Sequence, residues 1–565
     1  MPRRRTICRT RRILSRQALN PAVLARLAVY RGQPDVIRDL DDLALGHWCY
    51  GGSQMGSEHV DVLIVGAGLS GIGAACHLRK GCPGKSFAIL EARDALGGTW
   101  DLFRYPGIRS DSDMFTLGYS FRPWEGGKSI ADGQSILDYV RDTAREHEVE
   151  SAIRLGHRVV RADWSSTDAR WTVEAELRDT GERVHLTCSF LYCCTGYYRY
   201  DEGYSPHFPG SERFSGQIVH PQHWPEDLDC ADKRIVVIGS GATTVTLVPA
   251  LARKAAHVTM LQRSPSYIVS LPERDPIADR LRRRLPASTA YAIVRWKNVI
   301  LMTLNYQLCR RAPGLMRRLF RHLVSRQLPA GYDVDTHFEP SYSPWDQRVC
   351  LAPDGDLFAA LSDGSASIET GAIETLTETG IRLASGTELD ADIVVSATGL
   401  NLLMLGDMEL ALDGSRVEVG NTVTYKGMML CGVPNMAFTF GYSNASWTLR
   451  ADLVAEYVCR LLARMDERGL AVCTPRGPDP SLPTHPMLDL QAGYVLRSID
   501  ALPKQVATAP WRLHQNYIKE RLLLRRGPID DGVTFSARER RLQPPQLRPT
   551  GGEETRTIDR QPASA

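Results

Sequence analysis

The chain has 565 residues, 43% hydrophobic and 24% charged, with a net charge of +3. That length exceeds what one hydrophobic core serves and predicts about three folded units of about 100–200 residues each, while the near-neutral charge gives no ground for nucleic-acid binding. Thirteen cysteines form an odd count with no Cys-x-x-Cys pair. They argue against a disulfide framework or a metal site and for a reduced, cytoplasmic protein. No uninterrupted apolar run reaches the roughly 18 residues that a membrane-spanning helix needs.

Residues 1–56 open with Arg3, Arg4, Arg5, Arg9, Arg11, Arg12 and Arg16, and acids appear only from Asp35. A basic, acid-poor leader can be a transit peptide or an export signal, but Pro21, Arg26 and Arg31 interrupt the apolar core that export requires. The segment is expected to be a disordered extension, or the product of a start site assigned upstream of Met55.

The first part of a dinucleotide-binding fold is expected at 57–205. It opens with the β-rich run His59–Val65, the turn Gly66-Ala67-Gly68-Leu69-Ser70-Gly71 and a helical pattern with Ile72, Ala75 and Leu78 on one face. Glycines at 66, 68 and 71 let backbone approach a pyrophosphate at a helix N-terminus. Glu91, which closes the run FAILE, stands where a carboxylate can accept from a ribose hydroxyl.

The stretch Gly97-Gly98-Thr99-Trp100-Asp101-Leu102-Phe103-Arg104-Tyr105-Pro106-Gly107-Ile108-Arg109-Ser110-Asp111 has neither helix nor strand period. Loops of this length in compact domains are usually functional. It resembles the G-G-x-W-x(4)-Y-P-G-x(3)-D motif of Baeyer–Villiger monooxygenases, flavoenzymes that use FAD and NADPH. The resemblance implies that Gly98, Thr99, Trp100 and Tyr105 help hold the flavin and that Asp111 stands beside it, supporting an active-site arginine. Asp111 also reads as an N-cap for a helix at Met114–Tyr119, and the two roles are compatible. Phe190–Tyr198 reads as a buried strand ending on a Gly turn, with Cys193 and Cys194 as core residues.

Phe214-Ser215-Gly216-Gln217-Ile218-Val219-His220-Pro221-Gln222-His223-Trp224-Pro225 matches the family fingerprint F-x-G-x(3)-H-x(3)-W-P. Trp224-Pro225 favours the ketone-oxidising branch over relatives that oxidise amines and sulfides. His220 reads either as a satisfied structural histidine or as a catalytic base, and the resemblance places it where domain motion couples to cofactor position, not at the reacting oxygen. A second nucleotide domain is expected at 206–385, with the turn Gly239-Ser240-Gly241-Ala242-Thr243-Thr244. Thr244 replaces the usual Gly or Ala and is expected to widen the turn. Arg263 and Ser264 follow the run HVTMLQ where an NAD-selective site would put an acid, so NADPH is preferred. Gln347 stands where the family often has a second cation, which points to relaxed selectivity.

Residues 277–328 read as a basic helical insertion, for which solvated arginines and contact with an anionic membrane are both open. By resemblance, Pro344-Trp345-Asp346-Gln347-Arg348 carries the arginine at the reacting oxygen, Arg348. Asp392–Asn401 resembles the return to the first fold, whose second part is expected at 386–537. There Gly441–Ser446 precedes an amphipathic helix reaching Met465. Residues 538–565 are expected to be disordered.

The fold expected is α/β, with two Rossmann-like dinucleotide-binding domains and a helical insertion. The resemblance spans His59 to Phe535 and is greatest to the mycobacterial ethionamide-activating branch of the family. It implies an NADPH-dependent enzyme that reduces FAD, forms a C4a-peroxyflavin with O2 and inserts oxygen into ketones to give esters or lactones. The same site could oxygenate thioethers or thioamides. The rivals are an S/N-oxygenating flavin monooxygenase and a non-catalytic flavin redox sensor.

Overall fold

The computed structural model describes residues 58–537. The expectations for residues 1–56 and 538–565 lie outside the described residues. Glu58–Val65 forms a strand whose last four residues are almost entirely buried. A β-branched run buried on both faces belongs in the middle of a parallel sheet, and it pairs in parallel with Phe87–Leu90 on one side and Arg183–Cys193 on the other. These strands belong to a nine-stranded sheet of mixed parallel and antiparallel pairing. The helix Leu69–Gly81 leaves the first strand through the Gly66 turn.

The second lobe is built on five strands, all parallel, in the order Ala366–Thr370, His257–Gln262, Arg234–Ile238, Ile393–Ser396, Gln217–Val219. The helix Ala242–Ala252 follows its own glycine turn. Ile393–Ser396 sits inside this sheet, so the second lobe continues past the boundary at 386 expected from the sequence. The return to the first lobe comes at Leu400–Leu402, which pairs antiparallel with the outgoing strand Tyr198–Gly203. Both crossings therefore run side by side.

The two glycine turns share one construction. Gly66 and Gly239 have positive φ, and a Cβ at either would lie 2.7 Å or 2.4 Å from the carbonyl oxygen of Cys194 or Ala397, respectively, at the end of a neighbouring strand. Only glycine fits such a turn without strain.

The helical insertion is present as Pro276–Arg282, Ala287–Arg311 and Pro313–Ser325. Its long helix is fastened to the first lobe. Arg295, buried, donates to the carbonyls of Phe115 and Gly118 at 2.8 and 2.7 Å, and Asn298 donates to Asp113 at 2.7 Å. No described helix is long and apolar enough to cross a membrane.

The helix Trp447–Glu467 is braced by a buried ion pair, Arg450 Nε to Glu520 Oε2 at 3.2 Å, both side chains almost wholly enclosed. Glu520 also accepts from the Tyr442 hydroxyl and the His514 amide, each at 2.8 Å. Removing one partner of a buried pair strands the other charge. Arg450→Leu is expected to lower the unfolding free energy by about 3–5 kcal/mol, read as a shifted midpoint in chemical denaturation. An unshifted midpoint would mean that Glu520 is accommodated without its cation.

Candidate functional site

Both glycine turns open on one cavity of about 1160 Å³. Gly66 and Gly68 line it from the first lobe, Gly239 and Gly241 from the second. A Cβ at Gly241 would meet no protein atom within 4 Å, so glycine there leaves backbone bare to whatever fills the space. Gly71 lies outside the lining, packed under the Gly66 carbonyl, where a Cβ would come within 1.8 Å. The arrangement suits two dinucleotides, each with its phosphates at a helix N-terminus.

Glu91 lines the cavity but already has work in the turn. Its carboxylate accepts from the Ala67 amide at 2.7 Å and the Arg93 amide at 3.0 Å. Burial raises its pKa, opposed by those two hydrogen bonds. Its carboxylate thus braces the turn by holding two backbone amides.

The loop 97–111 does more than line the cavity. Gly98, Thr99, Trp100, Tyr105 and Asp111 all face the space, and Thr99 shares a 3.0 Å hydrogen bond with the Tyr200 hydroxyl. Phe103 and Tyr105, however, belong to the apolar core of the second lobe, with Ile235, Val237 and Val245. Gly107 lies against the helix Ala242–Ala252, where a Cβ would come within 2.7 Å of the Ala250 Cβ. Arg109 then pairs with Asp356 of the second lobe. The helix cap is not Asp111 but Asp113, whose carboxylate accepts from the Thr116 amide at 3.1 Å.

Arg348 comes from the second lobe, two residues before the strand Cys350–Pro353. It donates through Nη1 to Asp111 Oδ2 at 2.6 Å, inside the cavity lining. The Asp111 carboxylate raises the guanidinium pKa further, against the opposing effect of burial. Arg348 is therefore a permanent cation, with Asp111 fixing its direction.

Around this pair stand aromatic residues that the sequence reading did not select. Tyr197, Tyr198, Tyr494 and Trp447 line the same cavity. The Tyr197 ring stacks on Trp447 at 5.1 Å between centroids, and Trp447 Nε1 donates to Ser70 Oγ at 2.8 Å. Burial raises the phenols of Tyr197, Tyr198 and Tyr494, so they stay protonated. The run Tyr197-Tyr198-Arg199-Tyr200, immediately after Gly196, was a signal that could have found three of the tyrosines; Tyr494 sits in a stretch with no pattern. Cys193 is buried in the core, whereas Cys194 reaches the cavity wall, as does Cys350. Burial pushes the Cys194 and Cys350 thiols up to about 12.

On the second-lobe side Arg263 and Ser264 line the cavity, and no carboxylate lies within ion-pair distance of Arg263 among the described residues. The Ser264 carbonyl accepts from Ser240 Oγ at 3.1 Å. Thr244 is fully buried, with its hydroxyl unpartnered. A Cβ at Gly239 would lie 2.9 Å from that oxygen, so the larger residue occupies the space under the turn. Gln347 lines the cavity beside Arg348.

His220 is not at the cavity wall. Its Nε2 lies 3.2 Å from the Gly399 carbonyl and its Nδ1 accepts from the Gln222 amide at 3.2 Å, so the ring is neutral with its proton on Nε2. Gln222 and His223 in turn bond to the carbonyls of Arg199, Tyr200 and Asp201. The segment clamps the crossing ribbon, so the structure places His220 at the base of that ribbon and not among the residues that line the cavity, where a catalytic base would stand. Burial lowers the His220 pKa. The folded state thus prefers the neutral ring, and its contribution is present above about pH 6.5 and lost as pH falls through the lower folded value, because the unfolded chain binds the proton first. On acidification from about pH 7 to about pH 5, the thermal midpoint of wild type is expected to fall further than that of His220→Gln. Parallel pH curves would remove this histidine from the linkage.

A family model described as Flavin-binding monooxygenase-like matches residues 128–404, and one described as NAD(P)-binding Rossmann-like domain matches residues 64–125. Among curated relatives, the FAD-containing monooxygenase EthA of Mycobacterium tuberculosis is 57% identical over 484 residues, covering 85% of this chain and 99% of the relative. The probable FAD-binding monooxygenase AlmA of Acinetobacter baylyi is 47% identical, over 84% of this chain and 96% of its own. Among solved structures, an oxidised steroid monooxygenase bound to NADP superposes with a TM-score of 0.67 at 22% identity, covering 85% of this chain and 100% of that one. An open form of cyclohexanone monooxygenase gives 0.65 at 19%, with the same coverage, so the fold is shared. With two dinucleotide turns on one cavity and relatives this near along nearly their whole length, the chain belongs to the flavin-binding monooxygenases that use FAD and NADP, alongside EthA and AlmA.

Proposed function

We propose that this flavin monooxygenase is a Baeyer–Villiger enzyme, converting a ketone, O2, NADPH and a proton into an ester or lactone, water and NADP+. The observation that carries the reading is the Arg348–Asp111 pair, assembled from both lobes inside the cavity that both turns share. The turn Gly66–Gly68, with Glu91 behind it and Thr99 and Trp100 beside it, would hold FAD. The turn Gly239–Gly241, with Arg263 and Ser264, would hold NADPH, the free guanidinium taking the 2′-phosphate. Bound FAD, reduced by NADPH, supplies the activated oxygen.

The chain's own residues then set the outcome. Arg348 offers a fixed positive charge where negative charge develops as oxygen attacks a carbonyl carbon. A preorganised donor of this kind contributes about 3 kcal/mol to transition-state stability. Asp111 holds the guanidinium in direction, and Tyr197, Tyr198 and Trp447 stand with it in the cavity wall. A second reading, oxygenation of sulfur in a thioether or thioamide, is favoured by the resemblance to the ethionamide-activating branch; it uses the same cavity but needs no anionic carbonyl adduct. Product identification on a ketone against a thioether separates the two, and oxygen uptake that requires a substrate argues against a redox sensor.

Arg348→Ala is expected to retain FAD and NADPH oxidation while ester formation falls about 100-fold or more; ester formed at the wild-type rate would remove Arg348 from the reaction. Arg263→Ala is expected to raise KM for NADPH about tenfold while leaving that for NADH unchanged. Equal effects on both cofactors would assign the arginine to something other than the 2′-phosphate.

A further inference from the structure

We propose that the helical insertion is a docking face for an anionic lipid bilayer, on which the enzyme lies without crossing it. The long helix Ala287–Arg311 buries one side and leaves apolar residues bare on the opposite one. One side carries Tyr291, Arg295 and Val299 and is covered by the first lobe. The other carries Ile293, Ile300, Leu301, Leu304 and Leu308, spaced by one, three, four or seven residues, and it is bare: Leu301 is 56% exposed and Leu304 60%.

The neighbouring helices extend this face. On Pro313–Ser325, every fourth residue, Leu315, Leu319 and Leu323, points outward, while Met316, Phe320 and Val324 are buried. On Tyr517–Arg526, Ile518 and Leu522 are exposed beside Trp296, whose ring lies 6.0 Å from that of Tyr517 and 5.2 Å from the Arg521 guanidinium. Isolated exposed leucines need no explanation, but an apolar face shared by three helices marks a contact surface.

Charge identifies the occupant. Residues 276–326 hold eleven arginines and one lysine against a single acid, Asp279, in a chain whose net charge is only +3. Arg310 and Arg321 are paired with Asp346 and Asp335. Arg311, Arg318 and Arg326 have no carboxylate partner among the described residues. Bare leucines flanked by unpaired arginines match a bilayer interface, where apolar side chains enter the acyl boundary and guanidinium groups remain at the phosphates. A second copy of the chain would bring the same positive field against itself, which disfavours a symmetric dimer through this face. The residues before Glu58, with seven arginines in the first sixteen positions, carry charge of the same sign.

The test is co-sedimentation of the FAD-loaded full chain with vesicles. Binding is expected to vesicles holding about 30% phosphatidylglycerol in phosphatidylcholine, and to be weaker by about tenfold on pure phosphatidylcholine or in high salt. Leu301→Ser/Leu304→Ser and Arg311→Glu/Arg318→Glu should each release the protein from anionic vesicles, with FAD content and NADPH oxidation in solution unchanged. Wild type that stays in the supernatant with anionic vesicles overturns the proposal. So does binding that both double variants retain in full, or light scattering that shows a wild-type dimer dispersed by Leu301→Ser/Leu304→Ser, which would make the face a self-association surface.

Discussion

The two lobes are joined by a ribbon of two short strands, Tyr198–Gly203 outward and Leu400–Leu402 back, and the site exists because this ribbon keeps two glycine turns facing one space. The bonds from the His220–His223 segment to this ribbon and to Gly399 add stiffness at its base. They also explain why a histidine in so specific a sequence phrase has no contact with the cavity.

A second set of contacts closes the lobes from the other side. The loop 97–111 places aromatic residues in the second-lobe core, Gly107 on its helix and Arg109 on Asp356, before presenting Asp111 to Arg348. A loop with no period of its own gains order from what it docks on. The Asp111–Arg348 pair therefore joins the lobes inside the cavity, and the same contact fixes the direction of the cation.

Much of this was legible in the amino-acid order. The turns at Gly66 and Gly239 announce themselves through strand, glycines and helix in sequence, and the family motifs located Asp111 and Arg348, residues more than two hundred positions apart that no periodicity could have joined. Other features were hidden because they depend on tertiary context. Glu91 stands at the ribose position of the motif, and its additional bonds to the Ala67 and Arg93 amides are set by the fold of the turn. The lobe boundary was set too early because Ile393–Ser396 reads equally well as the end of one sheet or the start of another, and only pairing decides. The repeated Thr-Gly steps at Thr195-Gly196 and Thr398-Gly399, each following the carbonyl against which a glycine turn packs, were visible but carry meaning only once both crossings are seen together. The tyrosines of the cavity wall owe their place to burial, which single-sequence patterns near a chain crossing do not reveal.

Two cysteines stand in the wall of a cavity built to handle activated oxygen, and burial holds both as thiols. The thiolate is the form that oxidants attack, and a thiol whose pKa lies near 12 is almost never in that form at neutral pH. The burial that raises both thiols therefore shields the protein's own sulfur, and it gives the site durability against its own chemistry.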